Sequence, residues 1–256
     1  MKEKKVEILN GFQEKLRGLE DLPEAVLNKY PAVILAHGFG AEKTEQGMFD
    51  EIAENLTENG FLVYRFDFSG RGESEGDYSK TSLTKLIKDL RAIVDFVKKQ
   101  SRVDVDKLAL VGMSFGTSVA IGVNAPEIKS YVLLGSVANP YEVLKNLFKQ
   151  YTFNPEGESF RISSLGEHLK MGPQFWKDFS NYNFPKIISE IQKPICFIHG
   201  EKDSAAPLSE AKIFYQNANE PKKLVVIKNS DHSFDEPNER SEMIKELTAW
   251  LKKYLK

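Results

Sequence analysis

The chain has a single cysteine, Cys196, in 256 residues, so it can form no intramolecular disulfide and no cysteine-based zinc cluster. It also lacks an excess of either charge. Its 35 Lys and Arg stand against 37 Asp and Glu, a formal net charge of -2, and the basic surplus of a phosphate-binding footprint is missing. Nucleic acid is therefore not an expected partner. No apolar run reaches the ~18 residues that read as a membrane span, and the charged start at residues 1–5 has no apolar segment behind it. The 17 glycines and 11 prolines are scattered, with no linker, low-complexity tract or internal repeat. What these absences leave is a globular protein, expected in the cytoplasm. Folding a chain of this length buries about 70 to 75% of its surface, enough for a core without covalent staples. A homodimer is left open.

What the sequence does contain is an alternation of two periods. A hairpin is expected first, at 4–9 and 14–20 around the Asn10-Gly11 turn. Short β-rich runs then follow at 32–36, 62–66, 108–111, 131–134, 195–198 and 224–227, most of them apolar on both faces as a covered parallel sheet requires. Between them, segments 49–59, 83–97, 207–218 and 243–255 carry apolar residues at spacings of three and four. In the second of these, Leu83, Leu86, Ile87, Leu90, Ile93, Val94 and Val97 share one face that must pack on the sheet. The pattern predicts an α/β fold: an eight-stranded, mostly parallel sheet flanked by helices, in one domain spanning 1–256. Residues 141–190 break the rhythm after the sixth strand and hold ten aromatics, about twice the density of the remaining chain. An insertion of this length predicts a cap. Its rings either line a pocket suited to flat or apolar acyl groups or form the cap's own small core.

The run 108–111 leads directly into Gly112-Met113-Ser114-Phe115-Gly116 and then a small-residue helical stretch. The Gly-x-Ser-x-Gly pattern alone is weakly specific. Between a strand and a helix, however, it is the context of a nucleophile elbow, where a sharp turn strains the serine and leaves no room for a Cβ two residues to either side. A serine hydroxyl is a poor nucleophile at neutral pH and needs a base, which in turn needs a carboxylate to hold its tautomer. Only four histidines are available, and the order serine, acid, histidine selects His232, after the last strand. His37 and His199, each before a glycine at a strand end, are expected to support loops, and no two histidines have metal-ligand spacing.

The acid belongs on a loop between Ser114 and His232. Residues 135–140 contain no carboxylate; 199–203 end in Asp203, the expected acid, with Glu201 as runner-up. Asp231 adjoins His232 too closely to face its ring. Backbone N–H groups of Phe115 and of Phe39, in the turn His37-Gly38-Phe39-Gly40, are the expected oxyanion donors. The glycine-rich stretch 70–76 has its third glycine displaced from the dinucleotide pattern and starts no helix, so it reads as a structural loop shaped by Asp67 and Arg71. No cofactor and no metal is expected.

The turn at 37–40, the segment 65–76, the serine elbow, His199-Gly200-Glu201-Lys202-Asp203 and Asp231-His232-Ser233-Phe234 together resemble the serine esterases of the α/β-hydrolase superfamily. Within it the chain is similar to bacterial cinnamoyl (feruloyl) esterases and to serine-aminopeptidase-like and monoacylglycerol-lipase-like hydrolases, over about residues 4 to 255. The resemblance implies the α/β-hydrolase fold, a cap over an acyl pocket, and a small-molecule ester as substrate. Met113 and Phe115 stand where relatives often carry histidine and a polar residue, and Thr117 replaces a frequent glycine. Two other readings stay open. An aminopeptidase or amidase on the same triad would need a cap carboxylate, with Glu156, Glu158, Glu167 and Asp178 available. A non-catalytic binding protein on the same fold would ordinarily have lost one triad member.

Overall fold

The computed structural model describes residues 2–163 and 165–256. Strands β1 (Lys2–Leu9) and β2 (Lys15–Leu22) form the expected antiparallel hairpin. Its turn is held by the Asn10 side chain, whose Oδ1 accepts from the N–H groups of Phe12 and Glu14, both at 2.9 Å. Then follow β3 (Tyr30–Ala36), α1 (Met48–Glu58), β4 (Leu62–Phe66), α2 (Leu83–Val97), β5 (Val103–Met113), α3 (Phe115–Val123) and β6 (Ile128–Leu134). The inserted stretch folds as α4 (Pro140–Lys149), a separate hairpin of β7 (Ser159–Ile162) and β8 (His168–Met171), α5 (Pro173–Asp178) and α6 (Phe184–Glu190). The chain returns through β9 (Ile195–Gly200), α7 (Leu208–Asn217), β10 (Lys222–Ile227) and α8 (Pro237–Leu255). Among the described residues no helix is long and apolar enough to cross a membrane.

The main sheet has eight strands in the order β1-β2-β4-β3-β5-β6-β9-β10, antiparallel only at β1/β2 and β2/β4. Its faces are covered on both sides, which explains the apolar runs without alternation. On β3, Ala32, Ile34 and Ala36 face one layer while Val33 and Leu35 face the other. The first layer takes α2, α3 and the inserted helices; the second takes α1 and α8. Helix α2 starts where Ser82 Oγ accepts the Lys85 N–H at 3.2 Å, and it seals its layer with Leu83, Leu86, Leu90, Ile93, Val94 and Val97. Each such side chain contributes about 1.5–3 kcal/mol on burial. Near the antiparallel end, the buried Arg65 of β4 donates to Asp21 of β2 at 2.8 Å and pairs with Asp50 of α1, which clamps the sheet edge to the helix.

Several element ends shift from expectation by a few residues, and three larger differences stand out. Helix α8 begins at Pro237, six residues early, because proline suits the first helical position while its polar first turns show no apolar period. Strand β5 reaches back to Val103 through a polar stretch, Asp104 to Lys107, that masks the strand signal. The hairpin β7/β8 was not anticipated, since four residues per strand are too few for a period to register.

Candidate active site

Parallel strands deliver their C-terminal ends to one rim of the sheet, and the site is assembled there from the loops after β3, β5, β6, β9 and β10. Ser114 sits between β5 and α3 with φ 54° and ψ -123°, a strained conformation for a residue with a side chain. The flanking glycines are required sterically. A Cβ on Gly112 would lie 2.7 Å from the Gly116 carbonyl oxygen, and one on Gly116 would lie 2.2 Å from the Ala36 oxygen. Thr117 has a role of its own: its hydroxyl donates to the Ser114 carbonyl at 2.6 Å and accepts the Val137 N–H at 2.9 Å, fastening the elbow to the loop after β6.

The loops after β9 and β10 are zipped together. Glu201 N donates to Ile227 O at 2.9 Å and Lys202 N to Ser230 O at 2.8 Å. Gly200 is the close-approach position, where a Cβ would meet the Asp231 oxygen at 2.2 Å. This contact brings Asp203 and His232 together across 29 residues of sequence. Ser114 Oγ donates to His232 Nε2 at 2.8 Å, and His232 Nδ1 donates to Asp203 Oδ2 at 2.6 Å. The ring leans on Gly135, where a Cβ would come within 3.0 Å of Cε1. Glu201 and Asp231 are turned elsewhere, to the N–H groups of Asn229 and of Ser233.

Asp203 is buried and receives four donors. Oδ1 takes the N–H groups of Ala205 at 3.0 Å and Ala206 at 2.8 Å; Oδ2 takes His232 and, at 3.2 Å, His199 Nε2. Burial pushes its pKa up, but the hydrogen bonds from His199 and His232 outweigh this and hold the carboxyl well below the usual range. His199 is thus more than a loop support, and its Nε2 also donates to Ala206 O at 2.7 Å. Its position four residues before Asp203 at the end of β9 was the only sequence signal for that contact.

The turn after β3 packs against the nucleophile, and a Cβ on Gly38 would be 3.3 Å from that of Ser114. Gly38 N donates to Glu45 Oε2 at 2.7 Å and Gly40 N to the Tyr78 hydroxyl at 3.0 Å, while Arg71 donates to the carbonyls of Gly40 and Ala41 at 2.7 and 3.1 Å. Asp67, fully buried, accepts from Lys43 and from the Glu73 N–H, so both residues expected to shape this loop do so. His37 Nε2 accepts the Phe68 N–H at 3.0 Å; burial lowers its pKa to about 4 and keeps the ring neutral. Among the described residues the N–H groups of Phe39 and Phe115 donate no hydrogen bond, and both residues line the cavity above Ser114.

That cavity has a volume of about 330 Å³. From the inserted stretch it receives Val143, Leu144, Leu147 and Arg161. None of the ten aromatics of 141–190 lines it, so the ring-lined pocket is not what forms. Those rings pack on one another instead: Trp176 meets Phe153 at 4.9 Å, Phe148 at 5.1 Å and Phe175 at 5.2 Å between centroids. Phe39 and Phe115 extend this cluster from below, with Phe39 5.5 Å from Phe175 and Phe115 6.1 Å from Phe179. The cap carboxylates lie outside the cavity as well. Glu167 pairs with Arg71, Asp178 accepts from Thr84, and Glu156 and Glu158 pair with Lys177 and Lys170. Glu45, which does line the cavity, is pushed up to about 7 by burial, against the opposing pull of the Gly38 N–H and of His232.

The sheet order and its flanking helices are those of the α/β-hydrolase fold. Residues 28–152, just under half the chain, match the family model described as serine aminopeptidase, S33; the match includes the elbow and stops before Asp203 and His232. YfhR of Escherichia coli O157:H7, an uncharacterized protein, is 26% identical over 208 residues, which is 80% of this chain and 64% of that protein. The chain therefore spans less than two thirds of that relative. Est1E from Butyrivibrio proteoclasticus, solved with ferulic acid bound, matches with a TM-score of 0.83 at 22% identity over 97% of this chain and 98% of its own. The esterase domain of a Rhodothermus marinus protein matches with a TM-score of 0.79 at 23% identity over 100% of both chains. The chain thus shares the α/β-hydrolase fold with these esterases and is similar over its first half to the serine aminopeptidase family.

Proposed function

We propose that this protein is a carboxylic-ester hydrolase that works through an acyl-enzyme on Ser114. The observation that carries the reading is the continuous hydrogen-bonded chain from Ser114 Oγ through both nitrogens of His232 to the buried Asp203, at 2.8 and 2.6 Å. His232 Nε2 takes the hydroxyl proton as Ser114 Oγ attacks the ester carbonyl, and Asp203 stabilises the imidazolium that results. The carbonyl oxygen, now anionic, accepts from the free N–H groups of Phe39 and Phe115. Collapse breaks the bond to the alcohol oxygen, which leaves with the proton from His232. Water then repeats the sequence in reverse roles: His232 takes its proton, the hydroxyl attacks the acyl carbon, and Ser114 recovers its own proton as the acid departs. The net change is ester plus water to acid plus alcohol, with no cofactor or metal required.

Residues 141–190 act as a cap over the acyl pocket in this reading. A cavity of about 330 Å³ is at the small end of ligand sites, and aliphatic cap residues Val143, Leu144 and Leu147 suit short to medium acyl chains. A feruloyl group would find only Phe39 and Phe115 as ring partners there. The description of the matching family model favours a second reading, cleavage of aminoacyl bonds on the same triad. That reading requires a carboxylate for a free amino terminus, a part for which the half-buried Glu45 on the cavity wall is the candidate.

The test is a panel of p-nitrophenyl butanoate and octanoate, methyl ferulate, a long-chain triglyceride and aminoacyl p-nitroanilides. The expected order of kcat/KM puts the short to medium acyl esters first and the anilides nearly inert. Anilides as the best substrates would replace the esterase reading with the aminopeptidase, and inertness toward every substrate would favour the non-catalytic binding protein.

A further inference from the structure

Three arginines stand close to the catalytic rim, and two are committed. Arg71 pairs with Glu167 and two backbone carbonyls; Arg240 pairs with Glu51 at 3.0 Å and Asp235 at 3.4 Å. Arg161 differs. Like Arg240 it lines the same cavity as Ser114, yet its one hydrogen bond runs from Nε to the Ile162 carbonyl at 3.2 Å, and among the described residues no carboxylate lies within ion-pair distance. Its guanidinium is half-buried, and burial draws its pKa down with only the phenol groups of Tyr151 and Tyr78 opposing the shift. A partly desolvated charge without a counter-ion costs stability, and one facing a cavity is relieved when an anion enters.

The fold aims this side chain deliberately. On β7, Arg161 is paired directly with Leu169 of β8, so the two share a face of the hairpin. Leu169 is buried on the turn after β3, where its Cδ1 would be 2.4 Å from a Cβ on Gly40. The opposite face carries the neighbouring pair Phe160 and Lys170, the latter exposed and bonded to Glu158 at 3.1 Å. Among the described residues the hairpin therefore turns its one cation with free N–H groups inward, toward the cavity that holds Ser114. The cavity's own acids are already engaged: Glu45 with the Gly38 N–H at 2.7 Å and Asp235 with Arg240.

From the juxtaposition of an uncompensated guanidinium with the Ser114 cavity we infer that Arg161 anchors a free carboxylate on the substrate, which makes the preferred substrates anionic esters such as half-esters of dicarboxylic acids. A planar fork of N–H donors matches a carboxylate in charge and shape. A phosphate dianion would be only half compensated by one arginine, whereas a single carboxylate charge is matched. The inference rests on the esterase reading for its kinetics but not for its binding test.

The kinetic arm compares monomethyl succinate, adipate and suberate with methyl butanoate, hexanoate and octanoate, and a second series moves the carboxylate to the alcohol, acetoxypropanoate and acetoxybutanoate against propyl and butyl acetate. The readout is the ratio of kcat/KM for each anionic ester to its neutral partner. In at least one series this ratio is expected to reach about tenfold or more, as for hydrogen bonds to charged groups, and to fall to about one in Arg161→Gln with an intermediate value in Arg161→Lys. The binding arm uses calorimetry on the Ser114→Ala protein, where monomethyl adipate should bind at least about tenfold tighter than methyl hexanoate, and Arg161→Gln should abolish the gap. Ratios of one or below in both series, or a preference that survives Arg161→Gln, would overturn the inference while leaving an active esterase intact. Binding selectivity without any turnover would instead sink the esterase reading and leave the carboxylate site standing.

Discussion

Replacing Asp203 with asparagine isolates the electronic part of the site, because size and shape hardly change. Oδ1 of Asp203 accepts two backbone N–H groups, from Ala205 and Ala206, so the amide oxygen must take that side and the amide NH₂ must face His232. An NH₂ there donates to Nδ1, which moves the imidazole proton to Nε2, the atom that has to accept from Ser114 Oγ. His199 cannot relieve the conflict. Its Nε2 is fixed as a donor by the Ala206 carbonyl at 2.7 Å, so it meets the new NH₂ donor to donor. A base in the wrong tautomer costs ~10⁴ in kcat, about 5 kcal/mol of transition-state stabilisation. Initial rates on p-nitrophenyl butanoate should therefore fall by that order in Asp203→Asn, with the thermal transition measured alongside to show that the fold persists. Glu201→Gln and Asp231→Asn should each stay within about tenfold of wild type, since neither carboxylate touches the His232 ring. A loss of less than about tenfold in Asp203→Asn, or an equal loss in Asp231→Asn, would refute the assignment of the acid.

Glu45 is raised from 4.5 to about 7 in the folded protein, so the native state keeps a proton that the unfolded chain has released. Its contribution to stability is complete below the lower value and is lost as pH rises through the higher one. Glu45→Gln keeps an acceptor for the Gly38 N–H, and its melting temperature relative to wild type should rise from pH 5 to pH 8; a flat or falling difference in a paired melting series would contradict the shift. His199→Phe removes one of four donors to Asp203, and kcat should drop roughly tenfold, in keeping with the loss of one hydrogen bond to a charged group, while KM changes little. Steady-state kinetics decide this, and unchanged kcat would reduce His199 to a loop support.

The sheet was readable because its strands are covered on both faces, and 32–36 and 195–198 are uninterrupted apolar runs for that reason. The elbow was readable because sterics demand glycine at 112 and 116, so the local pattern carries its own geometry. Asp203 and His232 followed from chain order, and Gly200 is the residue that lets their loops touch. The inserted stretch yielded less. The direction in which Phe175 and Phe179 point depends on long-range packing against Phe39 and Phe115, not on any period within 141–190. The inward aim of Arg161 depends on its register opposite Leu169, which a four-residue strand cannot announce. His199 reads as a strand-end histidine until the turn from Gly200 to Ala206 folds Asp203 back beneath it.

The central claim is that Ser114 becomes acylated, and a fluorophosphonate probe reports on that step without any knowledge of the natural ester. Wild-type protein should gain a single adduct by intact mass, mapped by fragmentation to Ser114. Ser114→Ala should gain none and lose at least ~10³ in ester turnover while melting as wild type does. An adduct on another residue, or a Ser114→Ala protein that keeps more than about a tenth of the wild-type rate, would contradict the account.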